Sequence, residues 1–314
     1  MNFKYIIIFI LLVFCINLFA INDNAGTKGF AFLKIHYSAR AMGMANSFTA
    51  LANDGDAVFF NPAGIVQNKT RHVKTTYMSY IEGLQGGSLV YSTEYKHGWS
   101  IAPFVQFMIS DDIPRTIEIN GTYGGQDGTF NTSNIVFGLA LAKEVHEILD
   151  IGFNVKYLND QLENYSSSAI AVDVSALHQT NNPNIKIGFA LRNIGKQLSY
   201  YTPEKYEEKL PMTAIIGASY KYHDRGFINL DICRPFDNDF YGRLGMEYYV
   251  NRYFSLRSGL DSRLNDYKTN ESMDFMSGIS FGAGFNWNQY TVDYAVSSFG
   301  SLGFVNQISL SYSF

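Results

Sequence analysis

A chain of 314 residues carrying a net charge of -4 presents no basic footprint for nucleic acid. A mean hydropathy of -0.07 excludes a bundle of membrane helices. Aromatic residues reach 16%, with 22 Tyr and 25 Phe, against 17% charged residues, a balance that suits a β-barrel in lipid.

The chain opens as an exported protein. Lys4 precedes the apolar run "YIIIFILLVFCINLF", so residues 1–20 read as a signal peptide cut after Ala20. Phe14 is too bulky to sit before a lipidated Cys15, and the mature chain would keep only Cys233, with no internal disulfide. No later apolar run is long enough for a helix to cross a bilayer.

Residues 21–69 do not alternate. "SARAMGMANSFTALAN" is rich in Ala, Met and Gly and reads as a short close-packing helix, which "NDGD" ends in a turn at Gly55. At "NPAGI", Asn61 suits an N-cap and Pro62 the first helical position, so a second short helix is expected there. Asp54 and Asp56 lack the downstream ligands of a calcium loop and read as turn formers.

From residue 70 to 314 the pattern is strand after strand. "LDIGFNVKY" puts Leu149, Ile151, Phe153, Val155 and Tyr157 on one face, with Asp150, Asn154 and Lys156 on the other. Such segments place strands near 70–80, 86–96, 98–109, 130–142, 148–159, 167–179 and 184–194. Seven more fall near 210–222, 226–233, 240–250, 253–261, 275–286, 288–297 and 304–314. The reading is all-β: an antiparallel transmembrane barrel of about fourteen strands. Links after even strands are tiny, as at 97–98 and 251–252. Those after odd strands are long, as at 110–131, 195–209 and 263–274, which sorts the rims as in an outer-membrane barrel.

Cost then fixes the faces. A cation on the lipid side costs about 2–4 kcal/mol at the midplane. Glu94, Lys156, Asp173, Lys186, Lys221, Asp231, Arg243, Glu247, Arg257 and Asp293 are therefore expected to face the lumen. A fourteen-stranded barrel is too wide to fill with wall side chains, so residues 21–69 are the natural lumenal plug. Pro103 in the third strand removes a ladder donor and marks a possible wall bulge. The closing set Ile308, Leu310, Tyr312 and Phe314 resembles the terminal signature read by the barrel assembly machinery, which implies that partner.

Enzyme chemistry finds no support. "GISFG" at 278–282 lies on an expected strand rather than a nucleophile elbow. The six histidines lack metal-ligand spacing, and "GTYGGQDG" has no Lys-Ser/Thr for phosphate. No cofactor or metal is expected.

The run from Ala31 to Ile65 resembles the N-terminal signature of the PorV/PorQ family, barrels distantly similar to the FadL fatty-acid transporters. The resemblance rests on "FLKI" at 32–35, Arg40, Gly43-Met44, Asp54, Asp56, and Asn61-Pro62-Ala63-Gly64. It departs where family members carry a second Gly near Ala45 and two adjacent acids instead of Asp54-Gly55-Asp56. It implies an outer-membrane protein of a diderm bacterium, surrounded by lipid. Its role would be in type IX secretion and surface attachment, receiving exported proteins through their C-terminal sorting domains. The FadL side of the resemblance implies the alternative, a channel for hydrophobic small molecules. A structural barrel with a sealed lumen is the third reading.

Overall fold

The computed structural model describes residues 26–263, 269 and 271–314. The expected leader, its cut after Ala20 and half of the link at 263–274 lie outside the described residues.

Strands cover most of the chain beyond residue 70: β1 (His72–Ser79), β2 (Gln85–Glu94), β3 (Trp99–Ile109), β4 (Ile113–Ile119), β5 (Thr122–Phe130), β6 (Thr132–His146), β7 (Leu149–Leu162) and β8 (Tyr165–Gln179). Then come β9 (Ile185–Ser199), β10 (Thr213–Lys221), β11 (Gly226–Pro235), β12 (Tyr241–Tyr249), β13 (Phe254–Asp261), β14 (Ile279–Trp287), β15 (Tyr290–Ser298) and β16 (Phe304–Ser313). Fourteen of them, all except β4 and β5, form one closed antiparallel barrel, shut by the β1–β16 ladder from His72↔Ser313 to Ser79↔Asn306. Closure leaves no strand edge in the lipid, where an unpaired N–H or C=O costs several kcal/mol.

Alternation works as the period of two requires. Phe153, Val155 and Tyr157 are exposed on the outer face of β7, while Asn154 and Lys156 are buried inside. The expected lumenal charges Lys156, Asp173, Asp231, Arg243, Glu247, Arg257 and Asp293 are all buried; Lys186 and Lys221 are half-buried and Glu94 is exposed near the turn rim.

Several boundaries differ from the sequence reading. The link at 110–131 contains the β4–β5 hairpin, a separate two-stranded sheet. Its tip, Asn120-Gly121, has φ of 53° and 79°, the geometry that Asn-Gly supplies in a two-residue hairpin. β9 runs on to Ser199 instead of stopping at 194. The β7–β8 link is only Glu163 and Asn164, so the parity of link lengths fails there, because β7 runs on to Leu162 and β8 already starts at Tyr165. "FMSGISFGAGFNW" does not alternate from its start: Asp274–Met276 is a 3-10 turn and β14 begins at Ile279.

The leading segment lies inside the barrel, packed against its wall. "SARAMGMANSFTALAN" makes one helical turn only, α1 (Ala39–Met42), because Ala45 and Asn46 take φ of 52° and 59°. A second turn, α2 (Ala57–Phe60), forms from the apolar run before the Asn-Pro step, and the short helix expected at that step is the 3-10 helix Pro62–Gln67. Wall glycines let this backbone approach. A Cβ on Gly152 would stand 2.1 Å from Ala63 N, and one on Gly259 would stand 2.3 Å from Ala45 N. The half of the lumen nearer the short-turn rim is thereby filled.

Candidate functional site

The motif residues of the leading segment are spent on holding it to the wall. The Ser38 hydroxyl accepts from Ala41 N and caps α1, while Ser38 N and Ala39 N donate to Gln307 Oε1 and Ser309 Oγ of β16. Gly43 lies against Gly282 of β14, where an added Cβ would stand 3.0 Å from the Gly282 Cα. Asn61 caps the 3-10 helix through Ala63 N, with Pro62 at the first position, and its amide donates to Thr49 O at 2.8 Å and Ala176 O at 3.1 Å. Ala63 N also donates to Ser175 Oγ of β8 at 3.0 Å. Gly64 is required by close approach, since a Cβ there would sit 1.8 Å from Ala52 O.

Charge makes the rest of the anchor. Arg40 reaches Glu247 of β12 through Nε at 2.9 Å and Nη2 at 2.7 Å, a bidentate pair. Its Nη1 donates to Asn53 Oδ1 and to Asp54 Oδ2. Lys74 of β1 contacts Asp54 at 3.1 Å and Asp56 at 2.5 Å. Burial pushes both carboxyls up. At Asp54, Lys74 and Arg40 together outweigh burial and hold it well below the usual carboxylate range. At Asp56 burial outweighs Lys74, and the carboxyl is pushed up to about 6. Asp231 of β11 accepts from the backbone N–H groups of Phe48 and Thr49, both at 3.1 Å.

Above this anchor the lumen opens into a cavity of about 640 Å³ facing the long-link rim. Phe32, Ile35 and Met42 line it from the leading segment; Met78, Met108, Leu162, Phe299 and Val305 line it from the wall. On one side Arg243 and Arg263 both contact Asp261, at 3.2 and 2.7 Å, and both stack on the Tyr241 ring. Across the cavity Asp160 accepts from Asn134 at 2.5 Å. Ile35 and His36 form the floor, beneath which are voids of only about 20 and 30 Å³. His36 is held neutral by burial and by the neighbouring Arg192 and Arg243, so its Nε2 can accept from Arg192 Nη1 at 3.0 Å.

The wall around Pro103 keeps its register. β2 and β3 pair from Gln85↔Ile109 to Glu94↔Ser100 with only the Tyr91 and Ser92 positions unpaired, and no bulge forms there. The missing Pro103 donor costs a ladder bond and nothing more. The lumenal break is in β9, where Arg192 and Asn193 together oppose Asp173. Asn193 takes φ of 60°, and its N–H donates to Asp173 Oδ1 at 2.7 Å. Sequence reading misses this site because it takes 184–194 as one unbroken strand. The pair "RN" before "IG", breaking the alternation, is the signal that could find it. It also passes over Lys74, Arg192 and Asp261, although Lys74 shares the parity of Thr76 and Met78 on the inner face of β1.

Phe314 comes after β16 at the short-turn rim and packs edge-on against Tyr312 at 4.7 Å; Ile308 and Leu310 are exposed outward.

No family model matches the sequence, and no curated protein matches it. Solved structures do. The chain is similar to the toluene transporter TodX of Pseudomonas putida, with 11% identity and a TM-score of 0.64, covering 88% of this chain and 98% of that one. It is similar to the CymD monoaromatic hydrocarbon channel, with 12% identity and a TM-score of 0.62 over 89% and 98% of the two chains. A Pseudomonas aeruginosa FadL homologue aligns over 89% and 99%, with 13% identity and a TM-score of 0.58. The chain thus has the fold of these three proteins, a closed fourteen-stranded antiparallel barrel.

Proposed function

We propose that the protein is a channel admitting hydrophobic small molecules, those with an anionic head above all, from the long-link side. The observation that carries this reading is the 640 Å³ cavity, whose aromatic, Met and aliphatic lining lies beside the Arg243 and Arg263 guanidiniums. Its volume falls in the range of roughly 300–1,000 Å³ of small-molecule sites. Channels for toluene and monoaromatic hydrocarbons share its fold, which supports the apolar part of the ligand. The Arg243 and Arg263 guanidiniums in the lining support the acid. On this reading residues 1–20 are a cleaved leader, and the closing face from Ile308 to Phe314 directs barrel assembly.

Proteoliposomes test it. Vesicles holding the protein should take up a long-chain fatty acid faster than empty vesicles. Arg263→Gln should weaken binding of the acid about tenfold or more, by the roughly 1.5–3 kcal/mol of a charged hydrogen bond, and leave its methyl ester unchanged. Equal uptake by empty and loaded vesicles for acid and ester alike refutes the reading.

A second reading rests on the PorV/PorQ resemblance of Ala31–Ile65: capture of exported proteins by the outer links. Of the residues that carry the resemblance, Gly43, Met44, Asp56 and Asn61 to Gly64 lie buried against the wall, out of reach of such a partner, so transport is preferred. Co-purification with proteins bearing C-terminal sorting domains would reverse that preference.

A further inference from the structure

Seven buried side chains are joined end to end by ion contacts. In order they are Asp56, Lys74, Asp54, Arg40, Glu247, Arg257 and Asp293, with separations of 2.5, 3.1, 3.1, 2.7, 2.7 and 2.7 Å. None of the seven side chains is more than 15% exposed. Signs alternate and both ends are acids, so four carboxyls face three cations. An uncompensated charge in such a place is the costliest arrangement available to the chain.

The excess falls on one residue. Glu247 is bonded by both Arg40 and Arg257 and by the Tyr249 hydroxyl. Asp54 is bonded by Lys74 and Arg40. Asp293 accepts from Arg257 Nη1 at 2.7 Å. Asp56 is fully buried and has Lys74, already shared with Asp54, as its cation beside the Ser38 hydroxyl, and neither of its oxygens receives a well-directed hydrogen bond. The other groups around it are Asp54 in its own turn and the Ser38 hydroxyl that caps α1. From β2, Val90 and Ser92 lie beside the adjoining Gly55 and bring no charge. His72 of β1 lies near Asp54 and Lys74, and Asp293 of β15 acts on Lys74 from the far end of the chain.

We propose that Asp56 is a proton-binding site of the plug: it takes one proton from solvent in mildly acidic medium, which neutralises the seven-membered chain. The raised carboxyl at about 6, beside an Asp54 held far lower, agrees with this placement. Because folding raises this group, its contribution to stability is present in acid and is lost as pH rises through about 6. The inference does not rest on the transport reading.

Infrared difference spectra of the full barrel in detergent, between about pH 5 and pH 8, test it. Acidified wild type should show the C=O stretch of a buried carboxylic acid, slow to exchange in D₂O, and Asp56→Asn should lose that band. Asp293→Asn equalises acids and bases at the distant end, so the midpoint of the Asp56 band should fall by about one pH unit or more. A wild type without a slowly exchanging acid band overturns the proposal. So does a band that survives Asp56→Asn, or an unmoved midpoint in Asp293→Asn. If Asp56→Asn does not fold, the wild-type band and its response to Asp293→Asn still decide.

Discussion

Arg40→Ala should release the plug without opening the barrel. The substitution removes two bonds to Glu247, at 2.9 and 2.7 Å, and one each to Asn53 and Asp54, at 2.8 and 3.1 Å. Removing one partner of a buried ion pair costs about 3–5 kcal/mol, because the other charge stays behind unpaired. Here the orphaning is partial: Glu247 keeps Arg257 and Tyr249, and Asp54 keeps Lys74. The low end of that range, about 3 kcal/mol, is therefore expected, or roughly two orders of magnitude in the opening equilibrium of the plug. Hydrogen exchange reads this directly. Buried amides between Ser38 and Gln67 should exchange about a hundredfold faster, while amides of the β7–β8 ladder, which Arg40 does not touch, should keep their protection. A double-mutant cycle with Glu247→Gln should return a coupling of about 1–3 kcal/mol. An acceleration under about fivefold, or an equal one in plug and wall, would refute the claim that this guanidinium anchors the plug.

Other substitutions probe the remaining contacts. Gly259→Val puts a Cβ 2.3 Å from Ala45 N, and backbone cannot yield to it cheaply, so a loss of at least about 1–3 kcal/mol is expected in urea unfolding. Asn61→Ala removes the cap and two carbonyl partners and should cost about 2 kcal/mol by the same assay, more than an isolated cap. Pro103→Ala should leave planar-bilayer conductance unchanged, because the register around it is unbroken; a rise would place an opening there. His36 is held below its ordinary value, so the folded protein loses stability as pH falls through about 6.5, opposite in sign to Asp56. His36→Gln should remove that acid sensitivity, read as the pH dependence of melting between about pH 5 and pH 7.

The barrel was legible because lipid enforces a strict period. Phe153, Val155 and Tyr157 could not exchange faces with Asn154 and Lys156 without setting Lys156 in hydrocarbon. Strand ends were less legible, since nothing enforces the period beyond the bilayer. β6 to β9 extend to fourteen or fifteen residues there, and β4 and β5 pair on local turn chemistry alone. Inside the lumen, residue types pointed to the turns, while the pairing of Arg40 with Glu247, 207 positions away, has no sequence signal. Pro103 shows the opposite failure. A residue with a strong local meaning sits on an outer face where the ladder absorbs its missing donor, and the true break at Asn193 needs only an Asn at positive φ.

The leading motif can suggest one family while the fold matches hydrocarbon channels, and the contacts of the motif explain why. An inward wall face that alternates with a lipid face is polar by necessity, and once a plug excludes water each of its charges needs a partner. The plug must supply a complementary set. Arg40 answers Glu247, Asp54 and Asp56 answer Lys74, and two backbone N–H groups answer Asp231. Gly64 and the wall glycines Gly152 and Gly259 let the backbones meet. Such a motif records a docking reaction between two parts of one chain, and any barrel seating its own leading segment this way is under the same demand. On the transport reading the cargo is met elsewhere, above Ile35 and His36, by side chains such as Phe32, Met108 and Arg263 whose spacing follows no motif. A signature drawn from the anchor therefore reports that a barrel is plugged, and the residues lining its outer cavity report for what.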